Sequence, residues 1–217
     1  MADAPRRKPR SSAKPKRRTE TKTEPPRDPL DVALDLAARH GWRRLRLSQV
    51  AAEAGLPLAD LYRRYPSKRS LFAGVMARVD LAVLADGPGE GDSARERLFD
   101  VVMRRFDALK PHREAVRAFL REAPFSPGIG LMALGPTARS LRWMLAAAGL
   151  DASGPVGRLR CKGLGLIYLK TMRVWLGDNT EDASDTMAVL DRELQRAERL
   201  VNSLPWQQEE SLAPSEA

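Results

Sequence analysis

Several residue types are scarce in this 217-residue chain, and each scarcity argues against a class of function. The single cysteine, Cys161, excludes an intrachain disulfide and a cysteine-rich metal site, and it is typical of a reducing cytoplasm. The two histidines, His40 and His112, are far apart in sequence, and no glycine-rich phosphate loop or serine elbow accompanies them. We therefore expect no catalytic site, no metal site, no cofactor and no enzymatic activity.

Long apolar runs are also missing. No stretch of about 18 residues is apolar and free of charge, which argues against a membrane-spanning helix, and the first residues lack the apolar segment of a secretory signal. Hydrophobic residues nevertheless make up 43% of the chain, enough for a sizeable core. We expect a soluble cytoplasmic protein.

Positive charge is concentrated in the first third of the chain, which has a net charge of +9 overall. Residues 1–27 contain ten Lys or Arg and three acids, and residues 28–78 contain nine and five. The remainder, residues 79–217, has eighteen basic and twenty acidic residues. This asymmetry indicates a surface for a polyanion at the N-terminal end, although a basic tail that serves only solubility is a second interpretation.

The apolar pattern between residues 28 and 79 predicts four helices separated by turns. Apolar residues recur at helical spacing from Leu30 to Ala38 and form one stripe. Capping and stopping residues mark the boundaries, with starts at Asp28, Ser48, Pro57 and Ser67 and stops at Gly41, Gly55 and Pro66. Two short helices around a glycine turn are typical of a helix-turn-helix, whose second helix enters a DNA groove.

Longer helical patterns follow the glycine-rich run GPGEGD at 87–92. A capping box of Ser93 and Glu96 opens one helix, and Pro111 begins the next. The apolar, uncharged stretch at 123–136 is interpreted as a buried pocket lid or as a surface element that touches lipid. Further helices are expected at 137–148, 155–176 and 182–204.

The block from Leu30 to Phe72 resembles the TetR family of one-component regulators. It contains GWRRLRLSQVAAEAGLPLADLYRRYPSKRSLF, which is similar to the family's glycine–aromatic start, its helix-turn-helix and its Leu-Tyr, aromatic-Pro-Ser-Lys signature. The resemblance implies an all-α fold, with an N-terminal three-helix DNA-binding domain joined to a C-terminal helical ligand-binding and dimerisation bundle. The predicted segments are a disordered basic arm at 1–27, the helix-turn-helix domain at 28–78, the helical domain at 79–204 and a disordered acidic tail at 205–217.

The resemblance also implies contacts with double-stranded DNA. The predicted DNA-binding residues are Arg46, Ser48, Pro57, Leu58, Ala59, Tyr62, Arg63, Arg64 and Lys68. The three that would face bases, Pro57 to Ala59, include none of the Arg, Lys, Asn or Gln side chains that read bases by paired hydrogen bonds. Asp60, where the family usually has a small polar residue, would repel phosphate.

The C-terminal half is expected to hold an apolar small molecule and to form a homodimer. A pocket wall is predicted from large apolar side chains that would serve equally as plain core: Phe106, Phe119, Met132, Trp143, Tyr168 and Met172. By resemblance, the last two helices would pair across a two-fold axis through Ile167, Val174, Trp175, Leu190, Leu194 and Val201.

These features predict a homodimeric, ligand-responsive transcriptional regulator, usually a repressor. The C-terminal segment also resembles TetR-fold lipid-binding proteins that assist ubiquinone biosynthesis. The alternative prediction is therefore an accessory protein that binds lipid or isoprenoid, has lost specific DNA binding and makes peripheral contact with a membrane.

Overall fold

The structure is a computed structural model that describes residues 26–203, so most of the predicted basic arm and all of the acidic tail lie outside the described residues. Within that range the chain is all-helical, which confirms the predicted fold class. The helices are α1 (Pro29–His40), α2 (Leu47–Glu53), α3 (Leu58–Arg64), α4 (Lys68–Ala85), α5 (Ala94–Leu109), α6 (Arg113–Glu122), α7 (Pro127–Ala147), α8 (Gly154–Gly177) and α9 (Ser184–Asn202). Short 3₁₀ turns, Lys110–His112 and Ala123–Phe125, precede α6 and α7.

Three of the predicted helix starts, at Asp28, Ser67 and Ser93, are confirmed by their hydrogen bonds. The Asp28 carboxylate accepts from the backbone N–H of Leu30 at 2.8 Å. Ser67 caps α4, and the Ser93–Glu96 capping box opens α5. These caps satisfy N–H groups that the first helical turn leaves without partners.

The predicted cap of α2 is wrong. Arg46 is the N-cap residue, in an extended conformation, and Ser48 lies exposed inside the helix. Leu47 and Val50 are three residues apart and both pack against the core around α1, so the helix begins before Ser48. Burial of this apolar pair outweighs the capping preference of serine, whose contribution is about 1 kcal/mol.

A first hydrophobic core joins α1–α3 and the start of α4 to α6 and the start of α7. Its aromatic centre is Trp42, which makes edge contacts with Phe72 and Phe119 at centroid distances of 5.3 and 6.3 Å. The Trp42 indole N–H also donates to the carbonyl of Ala115 in α6 at 2.9 Å. Packing of the helix-turn-helix therefore extends past residue 78, where the sequence had placed the end of this domain.

A second core contains the end of α4 together with α5, α7, α8 and α9. Phe106 stacks on Tyr168 and on Trp175, at centroid distances of 5.3 and 5.4 Å. Helix α4 contributes Val75 to the first core and Val79 to the second. One continuous helix therefore carries side chains of both cores.

The helix predicted at 137–148 is wrong in its start, because α7 runs without a break from Pro127 to Ala147 through Pro136. A proline inside a helix costs about 3 kcal/mol. Burial of α7 against α4 and the first core, through Ile129 and Met132, offsets that cost. Leu131 and Leu134, on the opposite face, are exposed. The apolar stretch at 123–136, which the sequence predicts to be either a buried lid or a surface element, therefore has one buried side and one exposed side.

Within residues 26–203, no helix is long and apolar enough to cross a membrane.

Candidate nucleic-acid interface

Helices α2 and α3 are joined by a tight turn that fixes their relative position. Gly55 adopts a φ of +68°, a conformation that favours glycine, and the N–H of Leu56 donates to the carbonyl of Ala51 at 2.9 Å. Leu61 of α3 and Val50 of α2 are fully buried in the first core. Because these residues anchor the inner faces, the outer face of α3 is held towards solvent.

The outer face of α3 presents large side chains at helical spacing. Leu58 is 51% exposed and Tyr62, four residues later, is 62% exposed. Pro57, the N-cap residue, and Ala59 are exposed beside them. The structure therefore places the predicted base-facing residues and the predicted phosphate-facing tyrosine on one surface.

Asp60 has a basic partner on the same helix. Its carboxylate forms an ion pair with Arg63, three residues later. The positive charge of Arg63 offsets the negative charge of Asp60, which the sequence predicts to repel phosphate. An exposed pair of this kind is worth about 0–1 kcal/mol, so it holds the Arg63 side chain only weakly.

Lys68 has a structural role in addition to the phosphate contact predicted for it. Its ammonium donates to the carbonyls of Trp42 and Arg43 at 3.0 and 3.1 Å. Burial lowers the pKa of Lys68, and the nearby carboxylate of Glu122 opposes that shift. Two of the three ammonium N–H groups are thus used to hold the loop after α1, and one is left for another acceptor.

Glu122 holds the same loop from the other side. Its carboxylate accepts from the backbone N–H of Arg43 at 2.8 Å. It approaches Gly41 so closely that a Cβ there would lie 1.9 Å from a carboxylate oxygen, and Gly41 has a φ of +83°. The loop that carries Arg43, Arg44 and Arg46 is therefore fixed, with all three residues exposed.

Known proteins match this helix-turn-helix and the whole helical arrangement. The family model for bacterial regulatory proteins of the tetR family matches residues 30–75, from α1 into α4. The crystal structure of a TetR transcriptional regulator from Nitrosomonas europaea superimposes with a TM-score of 0.61 and 26% identity, covering 79% of this chain and 96% of that one. The helix-turn-helix of this chain, residues 30–75, is therefore of the TetR type. A TetR regulator from Rhodococcus sp. RHA1 shares the fold, with a TM-score of 0.57 and 23% identity over 81% of this chain and 95% of that one.

Similarity to curated proteins is confined to part of their length. An HTH-type transcriptional regulator of Mycobacterium bovis is 30% identical over 101 residues, which are 43% of this chain and 53% of that protein. A Mycobacterium tuberculosis counterpart is 29% identical over the same length. The chain thus spans about half the length of the curated relatives it matches.

The structure divides the six residues predicted to line a ligand pocket. Phe106, Tyr168 and Met172 lie together in the second core. Phe119 and Met132 pack in the first core, and Trp143 is half exposed on the outer face of α7. The six do not line one cavity, because α7 and α6 turn their apolar faces towards the helix-turn-helix as well as towards the bundle.

The residues predicted for a dimer interface are also divided. Trp175, Leu190 and Leu194 are buried in the second core of their own chain, so they are not on an outer face. Ile167 and Val174 are partly buried, and Val201 is exposed. The apolar residues that α8 exposes are instead Val156, Leu159 and Leu166. The sequence pattern did not separate these sets because α8 is apolar on more than one side.

A buried charged pair was missed from the sequence. Asp80 of α4 and Arg105 of α5 form an ion pair inside the protein, with both side chains less than 10% exposed. The sequence did contain a signal for this pair, because Arg105 lies four residues after Val101 and three after Val102, on the buried stripe of α5. A charged residue on such a stripe predicts a buried partner.

Proposed function

We propose that this protein is a DNA-binding transcriptional regulator of the TetR family. The observation that carries the proposal is the solvent-facing surface of α3, where Leu58 and Tyr62 project from a helix whose inner face is buried. The fixed basic loop with Arg44 and Arg46 belongs to the same small helical unit. A short exposed helix in a basic unit has the form required to enter the major groove and contact the flanking phosphates.

Recognition of bases would rest on apolar contact more than on hydrogen bonds. Leu58 and Ala59 can touch thymine methyl groups. The residues at the start of α3 include no side chain that could form paired hydrogen bonds with a base. Phosphate contacts from Arg46, Ser48, Tyr62, Arg64 and the free N–H of Lys68 would then supply most of the affinity. Binding of this type weakens steeply as salt concentration rises.

Two finer properties belong to the same proposal. A homodimer would place two α3 helices on successive major grooves, and the exposed apolar stripe of α8 is the surface we assign to it. An apolar ligand would bind within the C-terminal helices and change the spacing of the two α3 helices. Because α4 carries residues of both cores, it is the element through which such a change would pass.

The proposal is tested by DNA binding across a salt series. We expect the full chain to protect a defined sequence among genomic fragments. Arg64→Ala should reduce the affinity and lower the salt slope by about one phosphate contact, whereas Tyr62→Ala should reduce the affinity with the salt slope unchanged. Arg142→Ala and Leu81→Ala remove exposed side chains of α7 and α4 and serve as matched controls with unchanged affinity. Equal loss in the controls, or no loss in the α3 variants, would contradict the proposal.

The alternative of a lipid-binding accessory protein is supported by one observation, the apolar outer side of the segment that begins α7. Phe125 is 89% exposed, and Leu131 and Leu134 are each 64% exposed. Mass spectrometry of lipid that co-purifies with the protein tests it. Sequence-selective DNA protection without any bound lipid would refute this alternative.

A further inference from the structure

A groove lies between the start of α4 and the start of α7, at the edge of the first hydrophobic core, which contains Ile129 and Met132. Its volume is about 460 Å³, within the range of roughly 300–1,000 Å³ found for small-molecule sites. One wall carries the cationic residues Arg43, Lys68 and Arg69. The other is apolar and consists chiefly of Ile129, Leu131 and Met132.

The cationic wall has capacity for an anion. The Arg69 side chain reaches α7, where a Cβ on Gly135 would lie 3.3 Å from its Nη2, so that glycine leaves room for the guanidinium. Lys68 has one N–H beyond the two that hold the loop after α1. The nearby acid, Glu122, accepts from the backbone N–H of Arg43 and approaches Gly41. The residues that line the groove include no carboxylate.

The apolar wall continues into an exposed surface. Leu131 is 64% exposed at the groove, and Leu134 and Phe125 extend the apolar surface beyond it. The sequence from residue 123 to residue 150 contains no acidic residue. The cationic wall therefore attracts the charged end of a negatively charged ligand, and the apolar wall contacts its apolar chain. No carboxylate of the lining repels the charged end.

We propose that this groove binds a single-chain amphiphile with an anionic head. The head lies against Arg69, Lys68 and Arg43, and the alkyl chain follows Ile129, Leu131 and Met132. Inorganic phosphate would leave Leu131 of the apolar wall exposed to water, and a neutral hydrocarbon would leave the cations without a partner. Each buried methylene adds up to about fourfold in affinity, so the length of the chain affects binding strongly.

The site has a consequence for regulation that rests on the proposed function. An anionic head would occupy the N–H of Lys68 that the DNA-binding proposal assigns to a phosphate. Amphiphile and DNA would then exclude one another at the helix-turn-helix itself, without any movement of the C-terminal helices. Direct ligand binding is measured without DNA, so its failure is distinct from failure of the DNA-binding proposal.

The test is calorimetric titration of the full chain with sodium dodecanoate below its micelle concentration. Sodium butanoate has the same head with a much shorter chain, and dodecyltrimethylammonium has a chain of the same length with the opposite charge. We expect both to bind at least tenfold more weakly than dodecanoate. Loss of DNA affinity on addition of dodecanoate is then measured separately.

Three variants locate the site. Arg69→Ser and Leu131→Ser should each weaken dodecanoate binding at least tenfold, because both side chains are exposed parts of the walls. Gly128→Phe should block the groove, since a Cβ at Gly128 meets nothing within 4 Å. Arg142→Ser and Leu81→Ser, which alter exposed residues elsewhere, are the matched controls and should bind as the parent does.

Three outcomes would overturn the proposal. Equal affinity for dodecyltrimethylammonium would show that the head is not recognised. Unchanged binding in both Arg69→Ser and Gly128→Phe, with folding verified by circular dichroism, would place the ligand elsewhere. Binding to phosphatidylglycerol vesicles without binding to monomeric dodecanoate would identify the surface as a membrane contact rather than a ligand groove.

Discussion

The Asp80–Arg105 pair ties four helices together at one point in the second core. Arg105 is 1% exposed and donates to the Asp80 carboxylate at 2.5 Å and to the Tyr168 hydroxyl at 3.1 Å. The hydroxyl of Ser140 donates to the second oxygen of Asp80 at 2.9 Å. These residues belong to α4, α5, α7 and α8. Burial of two charges is tolerated here because each has several partners of opposite polarity.

Removing one member of this pair should destabilise the protein far more than removing both. Arg105→Met leaves the Asp80 carboxylate buried without its cation, and we expect a loss of about 3–5 kcal/mol in the free energy of unfolding. The double variant Asp80→Leu, Arg105→Met should lose less stability than the sum of the losses in the two single variants. Urea denaturation of all four proteins gives the coupling energy.

The exposed pair between Arg27 and Asp35, at 2.6 Å, is the matched comparison for that cycle. Its coupling should be below about 1 kcal/mol, because solvent screens both charges. Coupling energies of equal size for the two pairs would contradict the role assigned to burial.

At the scale of the element, the turn between α8 and α9 depends on one carboxylate. Asp178 is buried and accepts hydrogen bonds from the backbone N–H groups of Thr180 and Thr186, at 3.0 and 2.9 Å, and from both threonine hydroxyls. Burial alone would raise the pKa of Asp178, but these hydrogen bonds lower it below its ordinary range. The carboxylate therefore links the end of α8 to the first turn of α9.

Asp178→Asn should therefore have a pH-dependent effect. A lowered pKa in the folded state means that the carboxylate stabilises the protein above the unfolded-state pKa of about 3.9, and that this stability is lost as pH falls below it. We expect the variant to lose about 2 kcal/mol at pH 7, with the difference from the parent shrinking below about pH 4. Urea denaturation at a series of pH values measures this difference.

The control for this prediction is Asp185→Asn, an exposed acid in the first turn of α9. Surface substitutions of this kind usually change stability by less than about 0.5 kcal/mol. A constant difference between Asp178→Asn and the parent from pH 7 down to pH 3 would rule out the carboxylate as the cause.

Across the whole molecule, the exposed stripe of α8 supports a prediction about assembly. Leu159 and Leu166 are seven residues apart and face solvent, the latter at 72% exposure. Gly163 lies between them with space for a close neighbour, since a Cβ there meets nothing within 4 Å. Such a stripe has the spacing of helix-pairing seams.

The double variant Leu159→Glu, Leu166→Glu should convert a dimer to a monomer with little change in the fold of each subunit. Sedimentation velocity measures the mass, and circular dichroism verifies the helix content. Leu81→Glu, which places the same charge at a 69% exposed position of α4, should remain dimeric. If the parent sediments as a monomer, or the α8 variant remains a dimer, α8 is not the interface.

The sequence alone determined the all-α class, the extents of α1, α5, α8 and α9 to within a few residues, and the family resemblance of the helix-turn-helix. These features are encoded locally, in caps such as Asp28 and Ser93 and in apolar residues three or four positions apart. Neighbouring residues suffice to specify them.

Tertiary structure decided what a local pattern cannot contain. Pro136 stops a helix by local rules, but α7 continues through it because contacts with α4 outweigh the cost. Trp175 and Leu190 turn inward while Leu166 turns outward, although all three are apolar helix residues. Side-chain placement decides the pairing of Asp60 with Arg63. Segments distant in sequence form the groove between α4 and α7 and the hydrogen bond from Trp42 to α6. The direction of each apolar face is set by the neighbours that the complete fold supplies.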